Sequence, residues 1–142
     1  ALAVTNRAVL AVYRPLLEPL GLTHPQYLVM LALWDHRKSE ARATALSVKQ
    51  IAAALQLDSA TLSPMLKRLE ALGLITRTRS ASDERATDVA LTPDGDALRS
   101  RALDIPPAVV ERLGVHMAEL EELHRVLTRV NTAALAAGAL HA

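Results

Sequence analysis

The chain moves between two hydrophobic periods. Leu2, Val9, Val12, Leu16 and Leu20 recur at helical spacing, with Pro15 placed to bend that first helix and Gly21 to close it. Thr23-His-Pro-Gln26 reads as an N-cap with a capping box and opens a second helix through about His36. Arg37 to Ala45 has no apolar period and is expected as a solvated loop. Ser47-Val-Lys-Gln50 is a further capping box, starting a short helix over Val48 to Leu55. A tight connection, Leu57-Asp-Ser59, follows. Asp58 is placed to cap a longer helix to Leu72, with Gly73 as its left-handed stop.

That longer helix has two distinct faces. Leu62, Met65, Leu66, Leu69 and Leu72 share one side. At 100° per residue the other carries Ala60, Ser63, Pro64 and Lys67, flanked by Ser59, Thr61 and Arg68. Pro64 stands beyond the first turn, so either Ser63 is the true N-cap or the helix is kinked there. The period then drops to two. Leu74 to Arg79 and Thr87 to Leu91 alternate on either side of a polar turn, Ser80 to Arg85, which predicts a β-hairpin.

Thr92-Pro-Asp caps a helix to about Leu103, and Asp104-Ile-Pro-Pro107 bends or breaks it. Leu120, Leu123, Leu127, Val130, Ala134 and Ala137 then follow at steps of three and four. Such a seam packs on another helix, either a second subunit or a helix of the same monomer.

Composition narrows the fold class. The 142 residues suit one domain; 51% are hydrophobic yet none is Phe, so Leu, Ala and Val must build the core, a mixture that favours helices. No run is long and apolar enough to span a membrane, and no signal-peptide pattern is present, so a cytoplasmic location is expected. With no cysteine in the sequence, disulfides and thiolate metal sites are excluded for these residues. A net charge of +1 says little, but Lys67, Arg68, Arg77 and Arg79 cluster around a single acid, Glu70. A local basic patch on a near-neutral chain suits an anionic partner at one surface.

Enzyme chemistry finds no foothold. The glycines are too scattered for a phosphate loop or nucleophile elbow, and Glu121-x-x-His124 is only half of a di-metal motif. The other histidines read as surface or boundary residues, and neither metal nor cofactor is expected. A purely helical scaffold would explain the terminal seam but not the basic hairpin beside a small-residue helix face. Short helix, polar-faced helix and basic hairpin make a winged helix-turn-helix: mainly α with a small β-hairpin wing. One helix fits the major groove, and the hairpin reaches the backbone and the adjacent minor groove.

The run Tyr13-Arg-Pro-Leu-Leu-Glu-Pro-Leu-Gly-Leu-Thr-His-Pro-Gln-Tyr27 resembles the MarR family of transcriptional regulators, specifically its OhrR-like, organic-hydroperoxide-sensing branch. So do Leu57-Asp-Ser-Ala-Thr-Leu-Ser-Pro-Met-Leu-Lys-Arg-Leu-Glu70, Asp83-Glu-Arg85 and Asp104-Ile-Pro106. The resemblance implies a homodimeric repressor of a pseudo-palindromic double-stranded DNA operator. It implies one domain over residues 1–142, with dimerisation helices at about 1–22 and 104–142 around a DNA-binding lobe at about 23–103. Leu120, Leu123, Leu127 and Val130 would then lie in the dimer interface.

By the same resemblance, Ser59, Thr61, Ser63, Pro64, Lys67 and Arg68 lie in or beside the major groove, and a proline at position 64 is normal. Arg77 and Arg79 would approach phosphates, and Arg85 would enter the minor groove with Asp83 bracing the wing by an ion pair. Tyr13 and Tyr27 match the tyrosines that hold the family's sensing cysteine, which alignment on Arg7 and Tyr13 places about two positions before Ala1. Ala3 stands where a further tyrosine is usual, and Arg37 to Ala45 is longer than the usual connection. The alternative inducer is a small phenolic or lipophilic ligand, for which Leu16, Leu20 and Trp34 would line a pocket.

Overall fold

The computed structural model describes residues 1–39, 45–80 and 85–138. Helix α1 (Leu2–Leu17) contains Pro15 and tightens into a 3₁₀ turn at Glu18–Leu20 before Gly21. Helix α2 (His24–Ser39) begins on the expected capping box. Gln26 Oε1 accepts from the Thr23 amide at 3.0 Å, and Thr23 Oγ1 accepts from the Gln26 amide at 3.4 Å. Strand β1 (Ala45–Ser47) leads into α3 (Val48–Leu55), then come α4 (Ser59–Ala71), β2 (Ile75–Arg79) and β3 (Thr87–Leu91). Helices α5 (Pro93–Ala102), α6 (Ile105–Leu113) and α7 (Met117–Ala136) complete the order.

The three strands form one antiparallel sheet in the order β1-β3-β2. Ile75 pairs with Leu91 and Arg79 with Thr87 across the wing, while Leu46 pairs with Val89 on the other side of β3. Two expectations are corrected here. The stretch from Arg37 is not loop at either end: α2 continues through Ser39, and Ala45 already lies in β1. The physical reasons are tertiary. Arg37 forms an ion pair with Asp96 of α5 at 3.3 Å, and a three-residue strand is too short to display a period before β3 pairs with it. The central part of that expected loop, residues 40–44, lies outside the described residues, as does Asp83.

Pro64 is resolved in favour of a continuous helix. Asp58 caps α4 through Oδ1, which accepts from the Thr61 amide at 2.7 Å, so Ser63 is not the N-cap. The proline has no amide proton for the Ala60 carbonyl, but Ala60 is exposed and water can satisfy that oxygen at little cost. The buried side of α4, Leu62, Leu66 and Leu69, packs with Ile51 of α3, Val29 and Met30 of α2, Ile75 and Val89. Each fully buried leucine contributes roughly 1.5–3 kcal/mol.

A backbone junction fixes the wing to this core. The Thr92 amide donates to the Leu74 carbonyl at 3.1 Å, and the Thr92 hydroxyl donates to the Gly73 carbonyl at 2.5 Å. Trp34 Nε1, from buried α2, donates to the Gly95 carbonyl at 3.0 Å. Trp34 is therefore a core residue, 3% exposed. At Gly95 a Cβ would be driven into the Leu74 carbonyl, so only glycine fits. Replacing Gly95 with Ala should lower the unfolding free energy by about 1–3 kcal/mol, the usual cost of overpacking. Urea denaturation would measure this as a lower midpoint, and an unchanged midpoint would contradict the junction.

Candidate nucleic-acid interface

Capping residues place the elements of the basic face. Ser47 and Gln50 close a reciprocal capping box at the start of α3, with bonds of 2.9 and 3.0 Å. Gln56 ends α3 in the left-handed region at φ 57, turning the chain sharply into α4. Asp58 then starts α4, and its hydrogen bonds from Thr61 hold the carboxyl below its ordinary range. Helix α4 buries its leucines and leaves Ser59, Thr61, Ser63, Pro64, Lys67 and Arg68 exposed.

A cleft of about 830 Å³ runs between α3, α4 and the wing. Its floor is Ser59, Ala60 and Ser63 of α4; Arg77, Arg85 and Thr87 form the wing side. Ser47, Val48 and Lys49, from the end of β1 and the start of α3, line it as well. Four of the residues expected from sequence, Ser59, Ser63, Arg77 and Arg85, thus meet at one cleft. Thr61, Pro64, Lys67 and Arg68 do not line it but stand exposed elsewhere on α4, and Arg79 is exposed at the far end of β2. Lys49 was missed by sequence reasoning. Its signal was a lone cation directly after the capping serine of the helix preceding α4.

Arg77 is engaged by an acid of α4. Its Nη2 donates to Glu70 Oε1 at 3.0 Å, and its backbone amide donates to Glu70 Oε2 at 3.2 Å. Its Nε is buried without a hydrogen-bond partner among the described residues. These bonds hold the Glu70 carboxyl below the usual carboxylate range.

A second cluster lies at the contact of α1 with the start of α2. Tyr13 meets His24 edge-on with ring centroids 4.8 Å apart, and Tyr27 lies 6.0 Å from Tyr13. The two tyrosines expected as a pair do come together, and His24, read from sequence as ordinary, sits closer to Tyr13 than Tyr27 does. Beside them is a cleft of about 410 Å³ lined by Leu10, Arg14, Leu17, Leu22 and His24. Burial keeps His24 neutral to lower pH than usual and raises the Tyr13 phenol. Burial, with the charges of Tyr13 and Asp35, raises Tyr27 to about 12.

The Tyr27 phenol should therefore stay protonated well past its ordinary 10.0, and ultraviolet titration of folded against urea-unfolded protein will separate the two. Because the folded value is the raised one, stability that is full below pH 10.0 is lost as the pH rises toward about 12. Equal titration midpoints in the folded and unfolded chains would contradict the cluster.

The family description "Transcriptional regulator SarA/Rot" matches residues 11–101. The organic hydroperoxide resistance transcriptional regulator of Bacillus subtilis (strain 168) is 42% identical over 131 residues, 92% of this chain and 82% of that protein. Among solved structures, reduced AbfR bound to DNA matches with a TM-score of 0.75 at 30% identity, covering 92% of this chain and 85% of that one. AbfR is a protein of Staphylococcus epidermidis. The Staphylococcus aureus MepR–DNA complex matches with a TM-score of 0.78 at 25% identity, over 93% of this chain and 94% of that one. No helix among the described residues is long and apolar enough to cross a membrane. With the winged lobe, the basic cleft and these likenesses in place, the chain belongs to the SarA/Rot-related family of winged-helix transcriptional regulators, together with the organic hydroperoxide resistance regulator.

Proposed function

We propose that this protein is a dimeric, sequence-specific repressor that binds double-stranded DNA and releases it on exposure to organic hydroperoxide. The observation that carries the DNA-binding part is the cleft. A helix with a small, polar outer face lines it together with two cations, Lys49 and Arg85. An α-helix of this character fits a major groove, and cations beside it suit the flanking phosphates. Relatives described as DNA complexes, AbfR and MepR, support the reading.

Dimerisation is inferred from α7. This 20-residue helix buries none of its residues. Leu123 is 47% and Val130 53% exposed, and Leu120 and Leu127 are only half-buried. An apolar seam left open along some 30 Å of helix is what a second copy would cover, α1 joining it at the N-terminal side with Leu2 and Val4 exposed. Two-fold symmetry then sets two α4 helices against successive major grooves of a near-palindromic site.

A duplex enriched from a random-sequence pool by the wild-type chain tests both parts together. Lys67→Ala should weaken binding and relax preference at one or two base pairs, each lost base contact costing roughly 1–3 kcal/mol. Arg85→Ala should weaken binding and flatten the salt dependence by about one counterion. Charged residues at Leu123 and Leu127 should give monomers that no longer bind. Monomers of unchanged affinity would refute the dimeric reading.

The hydroperoxide part rests on the Tyr13–Tyr27–His24 cluster and on the Bacillus subtilis relative. Neutral phenols donate hydrogen bonds that favour a thiolate, the peroxide-reactive form of a cysteine. The sequence itself holds no cysteine, and the family pattern places one about two positions before Ala1. The test is operator release by cumene hydroperoxide from protein carrying the encoded residues upstream of Ala1, beside its Cys→Ser form. Release from the first alone is expected. Release from both or neither, or no upstream cysteine, would favour a repressor relieved by a small lipophilic ligand. The 410 Å³ cleft beside His24, with Leu10, Leu17 and Leu22 on its walls, supports that second reading. It lies apart from the core position of Trp34.

A further inference from the structure

We propose that Glu70 is a positioning residue for DNA binding, its carboxylate acting through Arg77 to hold the wing at a fixed angle to α4. The proposal rests on the DNA-binding reading above and deepens it. Glu70 lies in the last turn of α4 and Arg77 at the middle of β2, with the chain reversal at Leu72–Leu74 between them. Both carboxylate oxygens are used by one residue: Oε1 by the guanidinium and Oε2 by the backbone amide. Among the described residues β2 is an edge strand, paired only with β3. Glu70 therefore ties down the strand's open edge as well as its side chain, and the two bonds together restrict how β2 can pivot.

Arg77 is correspondingly unsuited to the phosphate contact that its basic charge first suggested. Its side chain is 23% exposed, its Nη2 is committed to Glu70, and its Nε is buried without a partner among the described residues. Reaching outward would break the ion pair and leave only the backbone amide holding Glu70. Arg85, the wing cation at the cleft, lies two residues before β3 begins at Thr87, so its position follows that of the wing. A wing that pivots spreads Arg85 over many positions and weakens its contact without removing a single charge from it.

Simple electrostatics predicts the opposite sign. A carboxylate beside a polyanion-binding face repels DNA, so Glu70→Gln should tighten binding if Glu70 merely offsets Arg77, and a freed Arg77 would add a phosphate contact. The brace predicts weaker binding. The experiment uses the full chain and the duplex enriched by the wild type, with dissociation constants measured across a salt series for wild type, E70Q, R77A and the double variant. Expected are losses of roughly five- to tenfold for each single variant. The double variant should lose no more than either single, and the logarithmic salt slope should stay at its wild-type value, because no phosphate contact has been removed.

Tighter or unchanged binding by E70Q overturns the proposal, as does a slope lowered by about one in R77A, which would make Arg77 a phosphate contact. E70D guards against a misfolded variant: it keeps the carboxylate on a shorter stem and should recover part of the affinity at the wild-type slope. E70D binding no better than E70Q also overturns the brace. A wild-type chain that binds no duplex in a salt-sensitive way defeats the DNA-binding reading itself. A wild type that binds while E70Q binds more tightly defeats the brace alone.

Discussion

The close approach of the α5 N-terminus to the Leu74 carbonyl is the constraint on which the DNA-binding lobe depends. Five elements meet there. Leu74 ends the connection from α4 and leads into β2, Thr92 ends β3 and caps α5, and Trp34 reaches in from α2 to the Gly95 carbonyl. The Thr92 hydroxyl donates to Gly73 and accepts from the Gly95 amide, so one side chain stops one helix and starts another. The wing can present a defined face beside α4 only because both of its strands are anchored at this point. A two-stranded hairpin standing alone in water is marginal at best; here β1 also flanks β3, and Val89 of the centre strand is fully buried.

On that platform, charge is arranged locally rather than globally. The chain carries a net charge of only +1, so long-range attraction to a polyanion must come from a patch. Lys49, Lys67, Arg68, Arg79 and Arg85 supply exposed or cleft-side cations on three separate elements. Arg77, which sequence spacing groups with them, is bound into the scaffold by Glu70. Arg77 is set apart by the Glu70 carboxylate, which at 3.0 Å ties its guanidinium to α4.

Much of this was legible in the sequence because the signals were local. The capping boxes at Thr23 and Ser47, the Asp58 and Thr92 caps, and the switch of period at Leu74 each reside in a few adjacent residues, and the elements began where those residues said. What escaped depended on contacts between distant positions. Strand β1 exists because Ala45 to Ser47 finds β3 some forty residues later. The extension of α2 is accompanied by an ion pair with Asp96 in α5. His24 looked ordinary because nothing beside it in sequence reveals that Tyr13 of the preceding helix will meet its ring. At Pro64 the sequence left two alternatives, and the Asp58 cap removes one of them: Ser63 is not the N-cap, and the proline lies inside α4 where exposed Ala60 leaves its carbonyl open to water.

The same α2 that carries Tyr27 also carries Trp34, and this gives the proposed sensor a physical route to the wing. Seven residues separate them, close to two turns, so the two side chains fall on nearly the same side of the helix about 10 Å apart. Both are buried, at 2% and 3% exposure, and α2 is an unbroken helix between them. A close-packed helix does not absorb a displacement at one buried side chain by deforming within two turns; it shifts as a unit. Movement of Tyr27 against α1 would therefore be felt by Trp34 at the Gly95 carbonyl, the junction from which β2 and β3 spring. The α5 side is tied back as well, since Arg101 donates to the Pro19 carbonyl at 2.9 Å, next to the turn that joins α1 to α2. On the proposed reading, an event at the tyrosine cluster reaches the DNA-facing surface through one rigid helix and one hydrogen bond, and the wing's angle is the quantity that changes.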